Sequence, residues 1–174
     1  VTTQTVADLL AHHIDLAFIE GELADAKAMR LEVMVLGSVE QFVVVGKKHP
    51  WWDLESVPLE ALSGQSFVVR QRSSQSRVWF DHVLAEHGIN PVISAEFDNI
   101  ESIKRAVGSG MCISLLPEYV FHSEEQLGTL RRLSIEGAPL CRDLKLIYEK
   151  DAPLSSLARA FVDYVATADP LTQS

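Results

Sequence analysis

Two polar stretches hold the residues best suited to grip a ligand. Arg70-Gln71-Arg72-Ser73-Ser74-Gln75-Ser76-Arg77 directly follows an apolar run, Phe67-Val68-Val69, and directly precedes a segment with helical spacing. In open α/β sheets, ligands bind beyond the carboxyl ends of strands. The first N–H groups of a helix favour anions there, and hydroxyls with a guanidinium supply matching donors. The plain alternative is a solvated loop whose serines only cap the helix. Phe97-Asp98-Asn99-Ile100 has the same character, with Glu101 and Ser102 in the first turn that follows. Asn99 can donate to a ligand from that turn, or Asp98 or Asn99 can simply cap.

Other chemistries find little support. The six histidines, His12, His13, His49, His82, His87 and His122, are scattered. None pairs with cysteines or carboxylates at a zinc-ligand spacing, so no metal is expected. Cys112 precedes an apolar run and reads as a small core residue, and Cys141 is isolated from it. Gly108-Ser109-Gly110 joins a helix to a strand, the reverse of the order in a phosphate loop, so its glycines read as a helix C-terminal turn. There is no Gly-x-Ser-x-Gly elbow and no His-Glu-x-x-His pair. No catalytic constellation is visible, and no cofactor is expected. Trp51-Trp52 reads as hinge or interface packing.

The elements that must position these residues follow from periodicity. Thr3 or Thr5 can cap an opening helix carrying Val6, Leu9 and Leu10. Ile14–Ile19 reads as a buried strand, and Met29, Leu31, Val33 and Val35 alternate as a second. Phe42–Val45 is a third, closed by Gly46. A surface link at 51–65 surrounds one short helix, Leu59–Leu62. After Phe67–Val69 comes a helix from Arg77 to His87, stopped by Gly88. Ile93, Ala95 and Phe97 alternate, and Ile100, Ile103 and Val107 share a helical face. Ile113–Leu116 is a strand, and Pro117 opens a helix to His122. Leu130–Ile135 is a weak strand and Leu144–Tyr148 a stronger one. Asp151 caps a final helix with Pro153 near its first position. This alternation predicts an α/β architecture with largely parallel sheets under helices.

The 174 residues are 47% apolar and 22% charged, a globular composition rather than a disordered one. Fifteen Lys and Arg against twenty-four Asp and Glu give a net charge of −9. Such a chain is poorly suited to gripping nucleic acid, which needs clustered cations. No apolar run approaches the ~20 residues of a membrane helix. Val1–Thr5 shows no basic start of a signal peptide. A soluble, cytoplasmic protein is expected.

One long stretch, Ala95-Glu96-Phe97-Asp98-Asn99-Ile100-Glu101-Ser102-Ile103-Lys104-Arg105-Ala106-Val107-Gly108-Ser109-Gly110-Met111-Cys112-Ile113-Ser114-Leu115-Leu116-Pro117, resembles the effector-binding domain of LysR-type transcriptional regulators. The shared theme is a helix with Ile-Lys and Val, a small-Gly-x-Gly-Ile turn, and a strand ending in Pro. Ile14–Ala17, Val43–Pro50, Arg70–Arg77 and Leu140–Leu146 with Arg142 resemble further family segments in the same order. Ser73 and Gln75 stand where many members have glycine, Ser76 where they have Thr, and Cys112 where glycine is common.

The resemblance implies a two-lobed, type 2 periplasmic-binding-protein-like fold, here without the first strand and helix of lobe I. Residues 1–50 and 143–170 would form lobe I and residues 60–138 lobe II. The implied function is sensing of a small anionic metabolite in the inter-lobe cleft. An attached winged helix-turn-helix, outside this chain, would carry the DNA contact. Arg72, Ser73, Ser74, Gln75 and Ser76 would form one wall with Asn99 nearby, and Thr2 or Thr3 would face them. A homodimer or homotetramer is implied, with no membrane partner. The alternative is a solute-binding protein of a transporter with the same fold; an enzyme comes a distant third.

Overall fold

The computed structural model describes residues 2–23, 29–137 and 139–167. In chain order the elements are α1 (Thr2–Leu10), β1 (Ala17–Glu20), β2 (Leu31–Gly46), β3 (Ser56–Val57), a 3-10 turn (Leu59–Leu62), β4 (Ser66–Arg70), α2 (Gln75–Glu86), β5 (Val92–Phe97), α3 (Ile100–Gly108), β6 (Ser114–Pro117), α4 (Glu118–Gln126), β7 (Leu130–Ile135), β8 (Leu140–Glu149) and α5 (Ser156–Thr167). The chain divides into two compact units, Val1–Val39 with Arg142–Ser174, and Glu40–Cys141.

In the first unit β1 pairs antiparallel with β8, Ala17 opposite Ile147 and Glu20 opposite Leu144. The two faces of these strands are covered separately, as the side-chain alternation of a strand requires. Ala17, Ile19 and Ile147 pack with Val6 and Leu9 of α1. Leu146 packs with Val162 and Val165 of α5. Arg142 is buried: its Nη1 meets Glu20 Oε1 at 3.0 Å and its Nη2 donates to the Glu20 carbonyl at 2.6 Å. A buried guanidinium is tolerated because it is paired.

The second unit is also layered. β4 and β5 run parallel, with Arg70 opposite Phe97. Alternate residues of β4 reach opposite sides. Phe67 and Val69 join Phe80 and Leu84 of α2. Val68 joins Ile103 and Val107 of α3. β2 pairs antiparallel with β6 and β7, and β3 pairs parallel with β7. Gly46 lies so close to the Val107 carbonyl and Gly108 that any Cβ would collide with the end of α3. Trp51 and Trp52 are half-buried against this unit's core.

Several expectations change. The sheets are mixed rather than largely parallel, because β1, β6 and β7 take antiparallel partners. The two strands expected at 29–35 and 42–45 are one, since Leu36–Gln41 stays extended between them. Thr3 and Thr5 lie inside α1, which is already helical at Thr2. Asp151 does not cap α5. It has φ 66° and pairs with Arg30 at 3.2 Å. Ser155 takes the role instead, its hydroxyl accepting the Ala158 N–H at 3.2 Å.

Candidate functional site

The pairing of β4 with β5 decides which polar residues meet. Both strands end at the same edge, and the Gln71 N–H donates to the Phe97 carbonyl at 3.0 Å just beyond them. The chain then turns twice, into α2 and into α3. Two helix N-termini therefore open from one sheet edge, each with N–H groups that favour negative charge.

The first turn is closed by the Ser74 N–H donating to the Gln71 carbonyl at 2.9 Å. Ser74 has the extended backbone of an N-cap, yet its hydroxyl makes no capping hydrogen bond. Ser73 is exposed, while Ser74, Gln75 and Ser76 are half-buried. Asn99 behaves otherwise. Its Oδ1 accepts the Ser102 N–H at 2.8 Å, and its Nδ2 donates to Asp98 Oδ1 at 2.8 Å. Asn99 is thus a working cap of α3.

Electrostatics at this edge centre on Arg77, whose side chain is only 6% exposed. Its Nε donates to both Asp81 oxygens at 2.8 and 3.0 Å, and its Nη1 lies 2.8 Å from Glu96 Oε1. Burial alone would lower its basicity, but the hydrogen bonds and charges of Asp81 and Glu96 outweigh burial and raise it. The same hydrogen bond from Arg77 holds the Glu96 carboxyl below its ordinary range. Arg72 is 83% exposed and stands 3.6 Å from the same Glu96 oxygen.

Of the residues singled out from the sequence, Arg72, Ser73, Ser74, Gln75, Ser76 and Asn99 all lie in the second unit around this edge. Thr2 and Thr3 lie in the first turn of α1 in the first unit; their side chains are outside the described residues. The buried Arg77–Glu96 pair was not anticipated. The Arg77–Asp81 spacing of four was the available signal, because it stacks the two on one helical face. Cys112 is buried among core residues, and burial pushes its thiol pKa up, which suits packing rather than nucleophilic attack. Among the described residues no three His, Cys, Asp or Glu side chains are grouped to hold a metal ion. No described helix is long and apolar enough to cross a membrane.

Residues 1–169 match a family model described as the LysR substrate binding domain. The HTH-type transcriptional activator CmpR of Synechocystis sp. (strain ATCC 27184 / PCC 6803 / Kazusa) is 27% identical over 168 residues. That match takes in 95% of this chain and 54% of CmpR, so the chain spans about half of that relative's length. Among solved structures, the CcmR regulatory domain of Synechocystis PCC6803 in complex with 2-PG superposes with a TM-score of 0.81 at 23% identity. It covers 93% of this chain and 76% of that one. The effector binding domain of QuiR in complex with shikimate gives a TM-score of 0.81 at 24% identity, covering 95% and 76%. The fold is therefore the α/β, two-lobed, periplasmic-binding-protein-like fold of such regulatory domains.

Proposed function

Because the chain belongs to the LysR substrate-binding-domain family, we propose that it is the effector-sensing part of a LysR-type transcriptional regulator. It binds a small anionic metabolite and biases the DNA binding or transcription activation of an attached winged helix-turn-helix domain. It performs no catalysis. A homodimer or homotetramer in the cytoplasm belongs to the same reading, and the net charge of −9 supports leaving the operator contact to the attached domain.

The observation that carries this reading is the shared edge of β4 and β5, from which the N-termini of α2 and α3 both open, with Ser73, Ser74 and Ser76 at the start of α2. A carboxylate or phosphate there gains N–H donors, hydroxyl donors and the Arg72 charge at once. The ligands of the related domains, 2-PG and shikimate, are small anions of this kind.

Thermal-shift screening against small carboxylates, amino acids and phosphate or sulfur metabolites will find the effector, since a ligand of the folded state raises the melting temperature. Calorimetry then compares the wild type with Ser74→Ala and Arg72→Ala. Loss of one charge-assisted hydrogen bond costs about 1.5–3 kcal/mol, or roughly tenfold to a hundredfold in affinity. Unchanged affinity in both variants would reduce the loop to a solvated turn that leads into α2.

A further inference from the structure

One carboxylate oxygen at the proposed anion edge serves two arginines unequally. Glu96 Oε1 lies 2.8 Å from Arg77 Nη1 and 3.6 Å from Arg72 Nε. Arg77 is fixed: it is buried, it holds Asp81 through Nε, and its Nη1 also donates to the Arg70 carbonyl at 3.4 Å. Arg72 is not. At 3.6 Å its contact with Glu96 exceeds hydrogen-bond length, and with 83% of its side chain exposed water competes for it. The Glu96 charge is already met by Arg77, so little holds Arg72 in place.

Arg72 also precedes the Ser74 N-cap by only two residues, within reach of the first turn of α2 for a side chain of its length. Resting on the reading that this edge takes an anion, we propose that Arg72 is an exchangeable arm which leaves Glu96 for the ligand's anionic group. Glu96 is its internal competitor and trims the affinity by the strength of that weak contact. The exchange gives up only a long, exposed ion pair, so most of the Arg72 contact with the ligand is net gain. The N–H groups at the helix starts and the serine hydroxyls of the edge add to it.

The experiment is calorimetry on the 174-residue protein with inorganic phosphate, 2-PG and shikimate as probes. It uses the wild type, Glu96→Gln, Arg72→Ala, the double variant and Ser74→Ala, with thermal melts to confirm folding. Glu96→Gln, whose amide oxygen can still accept the Arg77 Nη1–H and so keep α2 in place, is expected to tighten binding about two- to fivefold, the strength of one exposed ion pair. Arg72→Ala weakens binding, and Glu96→Gln adds nothing in its background. In the wild type, saturating probe raises the titration midpoint of the Glu96 carboxyl followed by NMR, a readout that survives if Glu96→Gln fails to fold. Tightening that persists without Arg72, no tightening at all, or a Glu96 midpoint no probe moves overturns the exchange. If Ser74→Ala weakens binding while Arg72 and Glu96 are inert, the exchange fails and the anion site stands. If all variants bind alike, or no probe binds, both fall.

Discussion

Arg77 Nη1 lies 2.8 Å from Glu96 Oε1, and this pair ties the first turn of α2 to the end of β5. Arg77 is the third residue of its helix and Glu96 the last but one of its strand. The pair therefore sets where the α2 N-terminus opens relative to α3. A site built from two helix N-termini depends on that placement.

Arg77→Ala is expected to lower the free energy of unfolding by about 1.5–3 kcal/mol, because the charge-assisted hydrogen bonds to Asp81 and Glu96 go together. Arg77→Lys recovers only part of this, since a single ammonium cannot repeat the guanidinium fork. Urea denaturation of the three proteins checks the order.

The turn after α3 makes a steric prediction. Gly110 has φ 80°, and a Cβ there would run into the backbone and Cβ of Lys48. Gly128 has φ 63°, with nothing within 4 Å of the same added atom. Gly128→Ala should cost about 1 kcal/mol, the conformational penalty alone. Gly110→Ala should cost about 2 kcal/mol or more, because the backbone penalty and the collision add. Equal losses in thermal or chemical denaturation would show that Lys48 yields freely.

His49 gives the pH dependence a sign. Burial holds its pKa below 6.5, and its neutral Nδ1 accepts the Trp51 N–H at 3.2 Å. The unfolded chain therefore takes up a proton near pH 6.5 that the folded chain resists. The His49 contribution is complete above that value. It shrinks as pH falls through 6.5 and levels off below the folded pKa. Denaturation midpoints between about pH 5.0 and 7.5 should drop less steeply in His49→Gln than in the wild type.

The candidate wall was legible because Arg72–Ser76 sits between an apolar run and a helical pattern, which places it at a strand's carboxyl end. The Asn99 turn was legible for the same reason, and the parallel register of Arg70 with Phe97 brings the two together. Arg77 was not legible as a buried residue. It closes a polar run that reads as solvated, and its partner Glu96 comes from a different strand through tertiary pairing. The 16-residue β2 was hidden by Gly37, Ser38, Glu40 and Gln41, which break the apolar pattern while the backbone stays extended. Antiparallel pairing of β1 with β8 joins residues more than 120 positions apart, a separation that local periodicity does not encode.

Backbone amide NMR during anion titration tests the central claim most directly. The isotopically labelled protein is titrated with the effector found by thermal shift, or with 2-PG or shikimate. Shifts should concentrate at the amides of Ser73, Ser74, Gln75 and Ser76 and in the first turn of α3 at Ile100–Ser102, and Ser74→Ala should weaken the saturation curve about tenfold or more. Saturable binding that leaves these amides unmoved and shifts another surface would contradict an anion site at the shared edge of β4 and β5.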